Sequence, residues 1–351
     1  MKTYRNILIV RTDRIGDVIL TTPAIRAIRE ANMNARVSIL VAPSTREIVD
    51  ENPNLDEVIT DDRKGVHRGF WGFMKLVLTL RRKRFDLAVI FHTKKRTNSL
   101  CFLAGIPNRA GYRNNKFGFL LTKKIKDTRP QGTKHEAVYC LDVLRALEMK
   151  TPNSFSLFMP QRRENDEWVK TLLRENDIVD SETLVAIHPG ASCISKRWAA
   201  AKFEEFIEIL CEKFSLRVIL VGGPETKTIS DSIHPPLANT ILNLTGETTV
   251  SQLASVLKRC RLLVSNDSGP VHVAVAVGTP VISIFGRNQA GLSPVRWRPL
   301  GASDVVLHKE VGCKICLAHN CDIEFKCLEA ISPQEVLEAA KPFLAACRRA
   351  N

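Results

Sequence analysis

Long hydrophobic runs are missing from this chain of 351 residues. No apolar stretch approaches the about 20 residues needed to cross a bilayer. At the N-terminus only Ile7 to Val10 precede Arg11, too little for the core of a secretory signal. A soluble, cytoplasmic protein is the expectation. The familiar nucleotide loops are missing as well: neither the P-loop pattern GxxxxGK nor GxGxxG occurs, which disfavours ATP hydrolysis and NAD chemistry. No HExxH and no spaced acidic triad marks a catalytic metal. Aromatic residues make up only 6% of the chain, and its basic runs carry no stacking ladder or reading helix. A nucleic-acid partner is therefore not expected, although nucleic-acid binding stays the rival class to an enzyme.

Negative charge is scarce in one half only. Residues 1–150 hold 29 Lys and Arg against 15 Asp and Glu, whereas residues 151–351 hold 22 of each kind. The formal excess of +14 thus lies wholly in the first half, with clusters at Arg81-Arg82-Lys83-Arg84, Lys94-Lys95-Arg96 and Lys123-Lys124-Ile125-Lys126. Such asymmetry points to a polyanionic partner: nucleic acid, an anionic membrane or a phosphorylated substrate. A merely solvated basic face is the plainer alternative.

What is present is the composition of a folded protein, 44% hydrophobic and 25% charged. The length suits two domains of about 150 residues each. Short β-branched runs alternate with helical periodicity, which predicts parallel sheets with crossover helices. Ile7–Val10, Val37–Val41 and Leu87–Phe91 read as buried strands of a first sheet. Leu184–Ile187, Arg217–Val221, Leu262–Val264 and Val281–Phe285 read as strands of a second, with helices at Ala200–Phe214 and Ser251–Lys258. The polar stretch QRRENDEW (161–168) marks the junction, giving domains 1–165 and 166–332 and a C-terminal helix over 333–351. Open α/β sheets bind ligands beyond the carboxyl ends of their strands. Chemistry is therefore expected in strand-end loops, at a cleft between two such domains.

Four loops qualify. In VRTDRIGDVILTTP (10–23), Gly16 permits a sharp turn and Asp17 opens a helix, flanked by Arg11 and Arg14. Asp17 is either a helix cap or a general base for a hydroxyl, with Asp13 as its rival. In IHPGASCISKRWAAAKF (187–203), the backbone after Gly190, the hydroxyl of Ser192 and the ammonium of Lys196 suit a diphosphate. In VILVGGPETKTIS (218–230), Glu225 follows a glycine pair and can accept both hydroxyls of a ribose, or simply favour a helix start. In NDSGPVHVAVAVGTPVISIFG (266–286), the amides of Ser268 and Gly269 would bind phosphate oxygens. Asp267 is an odd neighbour for an anion unless it orients Lys196 or the loop. His272 falls on the first helical turn, as a ligand-facing group or a core histidine.

Of ten cysteines, four cluster as Cys313-x2-Cys316-x4-Cys321-x5-Cys327. In a cytosolic chain disulfides are not expected. The spacing admits a metal knot but lacks the two well-separated pairs of a zinc ribbon.

Taken together, RTDRIGDVILTTPAIRAIR, HPGASCISKRW, VGGPET and NDSGPVHVAVAVGTPVISIFG resemble, in order and spacing, the ADP-heptose:lipopolysaccharide heptosyltransferases of glycosyltransferase family 9. The similarity spans nearly the whole chain, including KHEAVYCLDVLRAL (134–147) and ISPQEVLEA (331–339). The resemblance implies a GT-B fold: two Rossmann-like domains, the first binding acceptor and the second nucleotide sugar. It implies an inverting reaction that needs no metal or cofactor. Asp17 would be the general base and Lys196 the contact to the sugar diphosphate. Glu225 would hold the ribose, and Asp267, Ser268, Gly269 and His272 would surround the phosphates. Arg11, Arg14, Gly16 and Ser192 complete the substrate-binding set.

The implied reaction moves heptose from ADP-heptose to an inner-core acceptor of the lipid A–Kdo type at the cytoplasmic membrane face. The implied partners are an ADP-sugar, an anionic glycolipid and, peripherally, an anionic membrane surface. A related glycosyltransferase with another nucleotide sugar or acceptor is the alternative. The cysteine segment is similar to that of relatives adding the second heptose, whose catalysis does not require it, so no metal is expected. The two acids and two arginines of RTDRIGD depart from the family, whose members vary there. First-domain similarity is loosest, which leaves the acceptor open.

Overall fold

In a computed structural model of the protein, residues 3–234, 240–313 and 315–345 are described. The chain forms two compact units, Met1–Pro160 and Gln161–Asn351. Each is built on a six-stranded sheet in which every recorded pairing is parallel.

The first unit carries strands β1 (Asn6–Val10), β2 (Arg36–Val41), β3 (Glu57–Thr60), β4 (Leu87–Ile90), β5 (Asn108–Arg113) and β6 (Lys123–Lys126), in the order β3-β2-β1-β4-β5-β6. Its helices are α1 (Ile15–Ile19), α2 (Thr22–Ala31), α3 (Gly69–Lys83), α4 (Lys95–Leu103) and α5 (Glu136–Ala146). Central strands of a parallel sheet are covered on both faces and read as unbroken apolar runs. Leu8, Val10, Leu40, Ala88 and Ile90 accordingly pack with Leu76, Val77 and Leu80 of α3 in one core. The basic run at Lys123 is the edge strand β6, whose charges suit an unpaired edge.

The second unit carries β7 (Leu184–His188), β8 (Arg217–Leu220), β9 (Ile241–Asn243), β10 (Leu262–Asn266), β11 (Val281–Ile284) and β12 (Val305–Leu307), in the order β12-β11-β10-β7-β8-β9. Its helices are α6 (Arg163–Glu175), α7 (Ala200–Lys213), α8 (Lys227–Ser230), α9 (Val250–Arg259), α10 (Gly269–Val277), α11 (Pro294–Trp297), α12 (Lys326–Glu329) and α13 (Pro333–Leu344). The division falls before the junction expected at residue 165, because α6 belongs with the second unit, where it packs on α9. Helix α13 opens with a capping box of Ser332 and Glu335 and buries Val336, Leu337, Ala340 and Leu344 in the second core. It is thus a packed part of that unit.

Strand order reverses beside β1 in the first sheet and between β7 and β10 in the second. Reversal sends the flanking crossovers to opposite faces and opens a crevice at the carboxyl ends. The loops after β1, β7 and β10 lie at these points. Among the described residues no helix is long and apolar enough to cross a membrane.

Candidate active site

In the first unit, Arg11 follows β1 into the interior and is only 2% exposed. A buried guanidinium needs anions around it, and three carboxylates supply them. Arg11 Nε lies 2.9 Å from Asp13 Oδ1, while Nη2 lies 2.5 Å from Asp17 Oδ1 and 3.0 Å from Glu136 Oε1. Glu136 is buried at the first position of α5, where its charge also suits the helix dipole. Burial works against the charge of Arg11, but the three acids outweigh it and its pKa stands well above the ordinary value. Arg14 is exposed and joins none of these ion pairs, and Gly16 is buried within α1.

Asp17 sits inside α1, whose N-cap position is held by Arg14 without a side-chain bond. The Asp17 carboxylate accepts from Arg11 Nη2, not from an amide of its helix, so the capping geometry is not what the chain adopts. Burial lifts its pKa to about 6; the Asp13 carboxylate adds to the rise, Arg11 opposes it, and Glu136 adds further. Asp13 is also raised, by burial first, against the pull of Arg11. A carboxyl at about 6 is ionised at neutral pH yet basic enough to share a proton. Beyond β4, His92 places Nδ1 3.1 Å from Thr12 Oγ1. Burial, then Arg11, Lys94 and Arg63, lower its pKa to about 3, so the ring is neutral.

In the second unit, a Cβ at Gly190 or Gly222 would collide with Thr226, so the loops after β7 and β8 close on one another only through glycine. Trp198 is fully buried and pins the next segment. Its Nε1 donates to the Ile331 carbonyl and its backbone amide to Asn266 Oδ1, each at 3.0 Å. This fixes the turn Ile194–Lys196 and brings Lys196 Nζ within 2.7 Å of Asp267 Oδ2. Nζ also donates to the Asp267 carbonyl at 3.0 Å. Arg287 Nη2 reaches the same carboxylate oxygen at 3.3 Å. Asp267 and Arg287 are 5% and 6% exposed. Two cations share one buried acid, which orients both and leaves positive charge in surplus.

Ser268 holds the N-cap position of α10 without a side-chain capping bond, at the end where helix amides have no internal partners. Its Oγ lies 3.0 Å from His188 Nδ1, and Ser265 Oγ lies 3.2 Å from the same nitrogen. Burial lowers the His188 pKa to about 4, keeping it neutral. Gly269 opens α10 and His272 is buried on its first turn, 3% exposed. Glu225, in the turn Pro224–Thr226, and Ser192 are both exposed.

Within the first unit the structure therefore gathers Arg11, Asp13 and Asp17; within the second it gathers Lys196, Asp267 and Ser268. Glu136, His92, His188 and Arg287 were not singled out from the sequence. His188 and Arg287 follow the strand-end rule, closing β7 and following β11. Glu136 opens a helix, and its only sequence signal was the charge in KHEAVYCLDVLRAL.

The cysteine segment braces the Arg287 loop. Cys316 Sγ accepts from the Asn288 amide at 3.4 Å, and Cys327 Sγ donates to the Gly286 carbonyl at 2.6 Å. Among the described residues no group of three His, Cys, Asp or Glu is arranged to hold a metal ion. Cys327→Ala is expected to cost about 1 kcal/mol of stability. Cys313→Ser, at an exposed position, should leave the melting temperature unchanged, and both should keep turnover at low temperature. Stoichiometric zinc or iron that leaves together with activity on chelation would contradict this bracing role.

Comparison with known proteins bears on the family and the fold. The profile described as Glycosyltransferase family 9 (heptosyltransferase) matches residues 73–326. Lipopolysaccharide heptosyltransferase 3 of Escherichia coli K12 is 27% identical over 94% of this chain and 95% of that protein. The crystal structure of a family 9 glycosyl transferase from Veillonella parvula superposes with a TM-score of 0.86 at 24% identity, covering 99% of both chains. The structure of the E. coli ADP-heptose lipopolysaccharide heptosyltransferase II gives 0.78 at 21% identity, covering 97% of this chain and 99% of that one. These likenesses show the GT-B fold class, and the profile spans well over half the sequence: the chain belongs to glycosyltransferase family 9, the heptosyltransferases.

Proposed function

We propose that this glycosyltransferase moves heptose from ADP-heptose to an anionic lipopolysaccharide inner-core acceptor, with inversion. Asp17 takes the proton from an acceptor hydroxyl, and the freed oxygen pair bonds to the anomeric carbon. The bond from that carbon to the diphosphate breaks, and ADP leaves with the electron pair. Lys196, Arg287 and the α10 amides face the charge that develops on the diphosphate, while exposed Glu225 accepts from the ribose. The first unit handles acceptor and the second handles donor.

The observation that carries the reading is the Asp17 carboxyl, raised to about 6 in a buried, Arg11-oriented cluster. Such a group is matched to general-base work at neutral pH. An anionic acceptor is favoured by cations drawn together nearby. The neighbouring Lys116, then burial, push the Lys94 ammonium below its ordinary range, as two like charges side by side would. A depression of about 590 Å³ at the ends of β5 and β6 is lined by Arg113, Asn114, Asn115, Lys124, Lys126 and Asp127.

The donor is tested by thermal shift with ADP-, UDP-, GDP- and CDP-sugars. At a hundredfold excess over Kd, the right donor stabilises by about 2.7 kcal/mol, and ADP-heptose is expected to give the largest rise. A larger rise with another nucleotide sugar would replace the donor. Silence from every sugar would count against donor binding by the second unit.

A further inference from the structure

The first unit exposes apolar side chains where its charge is most one-sided. Trp71 is 82% exposed, Phe70 67%, Val66 62% and Leu78 49%. Helix α3 explains how Trp71 and Leu78 share a face. Leu76, Val77 and Leu80 turn inward to the core, whereas Trp71, Lys75, Leu78 and Arg82 follow at spacings of four, three and four along one stripe. Phe70 and Trp71 meet edge to face, 5.3 Å between ring centres. Around them Lys64, Arg68, Lys75, Arg81 and Arg82 are exposed, and α3 contains no acid.

The nearest acids are engaged elsewhere. Asp61 is buried between Arg63 and Arg96. Asp62 accepts from the amides of Gly65 and Val66. Glu57 pairs with Lys83 and Arg36. The four-residue cluster singled out at Arg81 is thereby reduced, since Lys83 is engaged by Glu57. The positive face instead runs along α3 towards the aromatic pair.

We propose that Val66, Phe70, Trp71 and Leu78, ringed by these cations, form a docking surface for an anionic lipid bilayer. Tryptophan and phenylalanine partition into the headgroup boundary, and each nearby cation gains from the negative surface potential. A second copy of the chain would bring the same positive charges together. Val66 and Leu78 offer nothing for a nucleobase to stack on. The proposal rests on the reading of the acceptor as lipid-borne for its purpose, but its physical basis is α3 and the turn that leads into it.

The test is co-sedimentation with vesicles of phosphatidylglycerol and phosphatidylcholine, comparing the intact protein with the Phe70→Ser/Trp71→Ser double variant. Because both rings are exposed, the variant should melt as the parent does. The parent is expected to bind the mixed vesicles, to be released as salt rises, and to bind pure phosphatidylcholine far less. The double variant should lose about tenfold or more in vesicle affinity and keep its transfer rate to a lipid-free acceptor. Equal vesicle binding by parent and variant overturns the proposal. So does loss of a dimer, or of RNA binding, in the variant while the parent ignores vesicles. Failure of the parent to transfer heptose to a lipid-free acceptor would instead strike the functional reading and leave the vesicle result standing.

Discussion

Asp17→Asn is expected to lower turnover by about 100-fold or more while leaving ADP affinity nearly intact. The substitution keeps size and shape but removes the basic oxygen pair. Arg11 retains Asp13 and Glu136 as partners, so the buried guanidinium is not abandoned. Turnover of the parent should fall as pH drops through about 6, because protonated Asp17 cannot accept a further proton. Glu136→Gln should move that acidic limb downwards: it removes one charge that raises Asp17 and frees Arg11 to attend to it. Near-normal turnover in Asp17→Asn would move the role of base to Asp13.

Stability should move the other way. An acid whose folded pKa is about 6, against about 4 in an open chain, binds its proton more tightly when folded. The native state therefore loses stability as pH rises between those values. Asp17→Asn escapes that loss. The variant should melt higher than the parent at neutral pH, and the advantage should vanish as pH falls towards about 4. A site that costs stability for its charge state is what a functional carboxylate produces. A helix cap would show the opposite sign, with the asparagine variant no more stable at any pH.

The sequence made the central strands legible because burial on both faces demands unbroken apolar runs, as in Ile7–Val10 and Val281–Phe285. Strands β5 (NRAGYR) and β6 (KKIK) escaped notice because strands towards a sheet edge can keep polar side chains in water. The loops after β1, β7 and β10 were found because sheet topology puts ligand-facing turns at strand ends. What escaped was side-chain partnership across long sequence separations. Nothing in the order of residues says that Glu136 reaches Arg11, 125 positions away. Likewise, the sequence offers Lys196 as a group that Asp267 could orient, but nothing in it says that Arg287 shares the same carboxylate. The comparison with known families fixed the type of chemistry that the loops alone left open.

Lys196→Ala is expected to weaken ADP binding by about tenfold or more and to slow transfer by about 100-fold, while adenosine binding changes little. The reason is the position of the charge. Lys196 Nζ is tethered at 2.7 Å to Asp267 Oδ2 and at 3.0 Å to the Asp267 carbonyl, beside the N-terminus of α10. A fixed cation there gains most when negative charge grows on the leaving diphosphate. Removing it also leaves buried Asp267 with Arg287 alone, which costs stability as well as rate. In the double variant Lys196→Ala/Asp267→Asn, buried Arg287 loses its carboxylate as well, so the melting temperature should fall further, and turnover should stay low because the cation is still missing. Lys196→Arg should restore rate only in part, since a planar fork cannot reproduce a point charge in a space shaped for an ammonium. Recovery of turnover in the double variant, or equal losses for ADP and adenosine in Lys196→Ala, would mean that Lys196 holds the loop in shape and leaves the phosphates to Arg287 and the helix amides.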